Sequence, residues 1–224
     1  MADWNRDKRA REIRSPRSAA IAGLIFSFLL ILQMVLASTI GADNPEIIDR
    51  ALLDEWFQNA DLILIIVPFA GIAFLWFTGV IRDWLGERED RFFSTVFFGS
   101  GIIFVAMLFV YAAVMGAVLG TYEVTRKLSL NNDVFVFGFS LINEVLANYA
   151  LRMAGVYMLS IASLLTRTGR APRWLILLTF LLAAGFLLFA GAARWVRYLF
   201  PGWVIIISLY ILVANYRQER EAPA

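Results

Sequence analysis

Residues 134–166 read VFVFGFSLINEVLANYALRMAGVYMLSIASLLT, a run of 33 residues whose only charges are Glu144 and Arg152. A helix of about 20 apolar residues already crosses the hydrocarbon core of a bilayer. Lipid offers the backbone no hydrogen-bond partner, so such a run must be helical to satisfy its own N–H and C=O groups. Inside it, Ser140, Glu144, Asn148 and Arg152 recur at steps of four, which lays a polar stripe down one helix face. Ionisable groups at membrane depth mark a candidate functional site.

The rest of the chain repeats the apolar theme. Of its 224 residues, 60% are hydrophobic and 17% charged, against roughly 45–50% and about 25% in soluble domains. The excess gathers in six runs, at about 18–40, 62–81, 92–121, 134–166, 174–193 and 198–216. The expected fold is an all-α polytopic membrane bundle of six transmembrane helices, forming one membrane domain over 18–216. It is flanked by a basic tail at 1–17 and a short polar tail at 217–224. The first run is about twice the length of a signal peptide's apolar core and reads as an uncleaved span.

Charge sets the orientation. Fourteen basic residues fall in the two tails and the segments 82–91 and 167–173, and five in the alternate loops. The positive-inside rule then places both termini in the cytoplasm. Trp56, Tyr122, Trp195 and Trp203 fall near the outer boundary, and Trp84, Trp174 and Tyr216 near the inner one, as an aromatic belt requires. The first outer loop carries six acids, and Asn44-Pro45 reads as a helix start. Ile48, Leu52 and Trp56 follow at steps of four, so a short amphipathic helix over 44–59 is expected on the outer surface.

Composition excludes whole classes of chemistry. The chain has no cysteine and no histidine, which removes disulfides, thiolate nucleophiles, imidazole bases and the usual zinc, haem and iron–sulfur ligands. No metal and no cofactor is expected. The only lysines, Lys8 and Lys127, lie in polar flanks, so no retinal-type Schiff base fits inside a span. A formal net charge of +2 gives no reason to expect nucleic acid as a partner.

Depth reshapes the stripe. Counting from Arg167 at about 1.5 Å per residue puts Arg152 about 22 Å above the inner edge and Glu144 about 12 Å further out. Runs three and four are both overlong and form a hairpin that projects outward. The stripe is then either the wall of an outward-facing pocket or a structural seam. In the pocket reading Arg152, Asn148, Glu144 and Ser140 face the ligand, with Asp61 and Glu123 as candidate ion-pair partners of Arg152. Gly116 and Gly120 form a GxxxG pair that suits a tight helix crossing, within the chain or between copies. One internal similarity, Phe74–Arg82 on Phe186–Arg194, matches at five of nine positions. Leucine- and phenylalanine-rich helices give such matches by chance.

The segments MAGVYMLS (153–160), RTGRAPRW (167–174) and FPGW (200–203) resemble a family of uncharacterised bacterial polytopic membrane proteins. That resemblance implies a bacterial plasma (inner) membrane protein and carries no activity or residue role. The functional expectation is therefore non-enzymatic binding or transport of a small polar or lipidic ligand through the outer pocket. A structural protein packed against itself or another membrane subunit is the alternative, and an enzyme acting on lipid-linked substrates the third. The lipid bilayer is the one partner all three share.

Overall fold

The computed structural model describes residues 16–38, 50–85, 91–125, 132–169 and 171–221. These form helices and short turns, with no strand among the described residues. In chain order they are α1 (Pro16–Ser38), α2 (Arg50–Leu85), α3 (Arg91–Thr125), α4 (Asn132–Asn143), a π-helical segment (Glu144–Ala150), α5 (Leu151–Thr168), α6 (Arg173–Phe189), a 3-10 turn (Arg194–Tyr198) and α7 (Leu199–Glu221). Helix α4, the π segment and α5 follow one another without a break. Helix α1 packs on α2 and α7, α2 on α3, α3 on α4, the π segment and α5, and α5 on α6.

Five helical stretches are long and apolar enough to cross a membrane: Arg17–Ser38, Asn59–Arg82, Ser94–Thr121, Val136–Thr168 and Arg194–Tyr216. The sixth apolar helix, Arg173–Phe189, has 17 residues and is about 25 Å long, at the lower limit of a crossing. It stops four residues before the end of the run expected from sequence. A turn begins there, with the Ala192 N–H donating to the Phe189 carbonyl at 3.0 Å. Large apolar side chains such as Phe28, Phe69, Leu177 and Leu188 face outward, more than half exposed. Apolar surface on this scale suits lipid rather than water, and marks a membrane protein.

One local expectation changes. Asn44 to Asp49 lie outside the described residues, but residues 50–59 are not a separate surface helix, because α2 runs unbroken from Arg50 to Leu85. No glycine or proline separates Phe57 from Leu62, so nothing in the backbone chemistry ends a helix there. Pro68 is accommodated inside the same helix. At the other end of the bundle, the sequence cues hold. Gly169 adopts the left-handed conformation (φ 64°) and its N–H donates to the Leu165 carbonyl at 3.1 Å, which closes α5. Pro172 then stands immediately before α6.

At mid-height every spanning helix contributes an aromatic ring to one cluster. Phe26 (α1), Phe74 (α2), Phe104 (α3), Tyr157 (α5), Phe186 (α6) and Phe200 (α7) are all buried. Phe74 has ring centroids 4.8 Å from Phe26, 4.9 Å from Phe104 and 5.0 Å from Tyr157. Trp203 stacks on Phe200 at 6.0 Å. Its indole N–H donates to the Thr179 hydroxyl at 2.9 Å, and that hydroxyl donates to the Leu175 carbonyl at 2.8 Å. Trp203 is therefore a core residue, not part of an outer aromatic belt. A buried indole N–H needs an acceptor, and Thr179 supplies one.

Between lipid-solvated helices there is little hydrophobic drive, so association relies on close packing. Gly155 lets α5 approach α6: a Cβ there would sit 3.1 Å from both the Ala183 carbonyl oxygen and the Phe186 Cβ. Gly23 does the same where α1 meets α2 and α7, since a Cβ there would overlap the Ser208 hydroxyl and lie 2.8 Å from the Phe77 ring.

Candidate functional site

At the end of the bundle away from Pro16, the helices leave a cavity of about 320 Å³. That volume is within the range of small-molecule sites, about 300–1,000 Å³. One part of its lining is the polar stretch of the fourth apolar run, contributed by Glu144, Ala147 and Asn148; another is the α6–α7 connection, with Gly191, Arg194 and Arg197. Tyr111 and Met115 of α3 and Ser38 of α1 complete the ring.

The first wall is built by an unusual backbone. Residues Glu144–Ala150 form a π-helix of seven residues, with helical α segments on both sides. π-helical turns hold one extra residue and occur mostly as short interruptions, often at functional sites. Across this segment Val145, Leu146 and Ala150 are buried, while Glu144 and Asn148 line the cavity.

A ladder of side chains locks the wall. The Arg152 guanidinium donates to the carbonyl oxygen and to the side-chain Oδ1 of Asn148, both at 3.2 Å. Asn148 Nδ2 in turn donates to Glu144 Oε2 at 2.7 Å. Arginine has donors only, so it fixes the Asn148 amide with its oxygen toward the guanidinium and its NH₂ toward Glu144. Arg152 therefore stands behind the wall rather than in it. Among the described residues its hydrogen bonds go to Asn148, and it is not part of the cavity lining.

The other expected residues divide. Glu144 and Asn148 line the cavity as anticipated. Ser140 is exposed one turn earlier and does not line it. Asp61 is exposed on α2, and no carboxylate among the described residues pairs with Arg152. The side chain of Glu123 lies outside the described residues. Gly116 faces Leu64 of the same chain, where a Cβ on the glycine would sit 3.6 Å from the leucine, and nothing among the described residues lies within 4 Å of such a Cβ on Gly120.

Sequence reasoning counted Arg194 and Arg197 only as outer-loop charges and passed over Tyr111. The signal for the two arginines was their spacing. Three residues apart in a 3-10 turn, side chains eclipse, so both project from one side of Arg194–Tyr198. The Arg197 Nε donates to the Arg194 carbonyl at 2.9 Å, which braces the turn. Tyr111 is held from behind, its hydroxyl accepting from Gln33 Nε2 at 2.6 Å. Gln33 is 1% exposed, and its Oε1 has no partner among the described residues. A buried orphan acceptor costs about 1–3 kcal/mol and in a native fold calls for an explanation. Holding Tyr111 at the cavity supplies one.

Gly191 packs directly on the ladder, since a Cβ there would sit 2.6 Å from Asn148 Oδ1. Gly191→Ala should push Asn148 off Arg152 at a cost of about 1 kcal/mol. Thermal unfolding of the purified protein measures it. Asn148→Ala made in the Gly191→Ala background should add almost nothing further, because the clash and the ladder are lost together. Among the described residues, no group of His, Cys, Asp or Glu comes together to hold a metal. No family model, curated protein or solved structure matches the chain.

Proposed function

We propose that this chain is a six-span protein of the bacterial plasma membrane, with both termini cytoplasmic, that binds a small polar or lipidic ligand in a pocket open to the outer side. The observation that carries this reading is the cavity itself, lined by a hydrogen-bonded polar wall and by two arginines. Basic residues are concentrated at the opposite end of the bundle, which favours a cytoplasmic position for that end.

Several features favour binding over other roles. Directly below the pocket, the aromatic cluster fills the bundle axis, which favours a one-ended cup over an open channel. Among the described residues, Glu144 is the only carboxylate lining the cavity, and one acid without a second acid or an imidazole is poor equipment for acid–base catalysis. The assembly alternative rested on Gly116 and Gly120, and Gly116 already has a neighbour within its own chain.

A chain without cysteine is a ready background for single-thiol labelling. In intact cells, a membrane-impermeant maleimide should label Ala192→Cys and the pocket-lining Ala147→Cys from outside. Arg173→Cys should react only after the inner face is opened. If Ala192→Cys reacts and Ala147→Cys stays inert from both sides, the pocket is not open to outer water and the reading falls. Labelling of Arg173→Cys in intact cells would reverse the orientation.

A further inference from the structure

The pocket carries both signs of charge in its lining. Glu144 comes from the π-helical segment and Arg197 from the α6–α7 connection. The hydrogen bonds around these two leave specific capacity unused. Asn148 occupies one oxygen of Glu144, so the other can still accept. Arg197 commits its Nε to the Arg194 carbonyl, and its two terminal nitrogens have no partner among the described residues. Tyr111 accepts from Gln33, so its own O–H remains able to donate into the cavity that Arg197 also lines.

From these residues, we infer that the pocket takes a zwitterion, with an ammonium at Glu144 and a phosphate or carboxylate at Arg197 and Tyr111. This deepens the ligand-binding reading and rests on it. A simple anion of the same size would satisfy Arg197 but meet the Glu144 carboxylate. A simple cation would satisfy Glu144 but meet the Arg197 guanidinium. Only a ligand with both charges meets both walls, and charge-assisted hydrogen bonds are the strong ones. Glu144 is kept in position by the Arg152–Asn148 ladder, which never reaches the cavity with its own charge. Apolar lining from Met115, Phe139, Ile142 and Leu146 suits the carbon skeleton of such a ligand. Two sources share this chemistry: free amino acids, and lipid headgroups that pair an amine with a phosphate.

The test uses the purified full-length chain and thermal shift or calorimetry. Probes are glycerophosphoethanolamine and a panel of free amino acids as zwitterions, with glycerol 3-phosphate and ethanolamine as the anionic and cationic halves. Nanodiscs with and without phosphatidylethanolamine test the lipid source. A zwitterion should bind at least about tenfold more tightly than either half, the span expected of one charged hydrogen bond. Glu144→Gln should erase that preference by weakening zwitterion binding and tightening glycerol 3-phosphate binding, and Arg197→Met should weaken zwitterion and anion alike. Preference for the amino acids or for the headgroup and its lipid identifies the source. Glycerol 3-phosphate binding as tightly as every zwitterion, in wild type and Glu144→Gln equally, would overturn the inference and leave the pocket reading intact. So would the absence of any zwitterion binding in protein whose Ala147→Cys variant is still labelled from outside. An Ala147→Cys variant that is never labelled removes the pocket itself.

Discussion

Phe74→Ala should lower the Tm of the purified protein by about 6–12 °C. The ring is fully buried and touches Phe26, Phe104, Tyr157 and Phe200, with centroids between 4.8 and 5.9 Å. Truncating a buried phenylalanine to alanine costs about 3–5 kcal/mol in soluble proteins. Lipid reduces the transfer part of that cost, because hydrocarbon replaces water outside the bundle, but the lost ring contacts and the void remain. About 3 kcal/mol is a fair expectation, and each kcal/mol moves Tm by about 2–4 °C at this chain length. The seven tryptophans give a fluorescence signal for the scan. Phe69→Ala is the control: it lies on the same helix, 61% exposed, and should change stability by no more than about 0.5 kcal/mol. Equal losses at the two positions would show that the bundle does not depend on its central rings.

The second large effect is expected at Gly23. Alanine there puts a methyl group onto the Ser208 hydroxyl and against Phe77, where α1 meets two neighbours at once. Overpacking of this kind costs about 1–3 kcal/mol. Ser208 gives the means of relief. Its Oγ is buried without a hydrogen-bond partner among the described residues, so Ser208→Ala alone should be neutral or stabilising. The same change should recover much of the Gly23→Ala loss by removing the atom in the way. A double-mutant cycle on thermal unfolding reads the coupling directly, and contacting pairs usually give about 0.5–3 kcal/mol. Simple additivity of the two changes would mean that α1 and α7 do not meet at this point.

Most of the bundle was legible in the chain because lipid imposes one rule, that an apolar run must be a helix of a certain length. The runs around Phe26, Phe104 and Tyr157 became helices near the expected bounds, while the run around Phe74 lies in a helix that begins earlier, at Arg50. The candidate site was legible only in part. Glu144 and Asn148 could be picked out because a polar residue in an apolar run is conspicuous and the four-residue step survives a change of helix type. The π-helical segment could not, since it alters hydrogen bonding by one residue without altering composition. That segment, with the inward turn of Asn148, is what moves Arg152 behind the wall. Arg194 and Arg197 were visible as charges, but their direction depends on a short 3-10 turn that no periodicity announces. Trp203 was misplaced for a similar reason. Its position near the end of a run suggested an interface, whereas Thr179 on a neighbouring helix offered its indole a buried acceptor.

In the membrane orientation proposed above, the ring cluster would also insulate. Phe26, Phe74, Phe104 and Phe200 present no oxygen or nitrogen to replace the hydration of a passing ion, and the Tyr157 hydroxyl beside them is bonded to Thr78 at 3.1 Å. Moving one charge across a membrane potential is worth about 2.3 kcal/mol per 100 mV. A pocket floored by such a layer would let its ligand come and go without opening an ion leak.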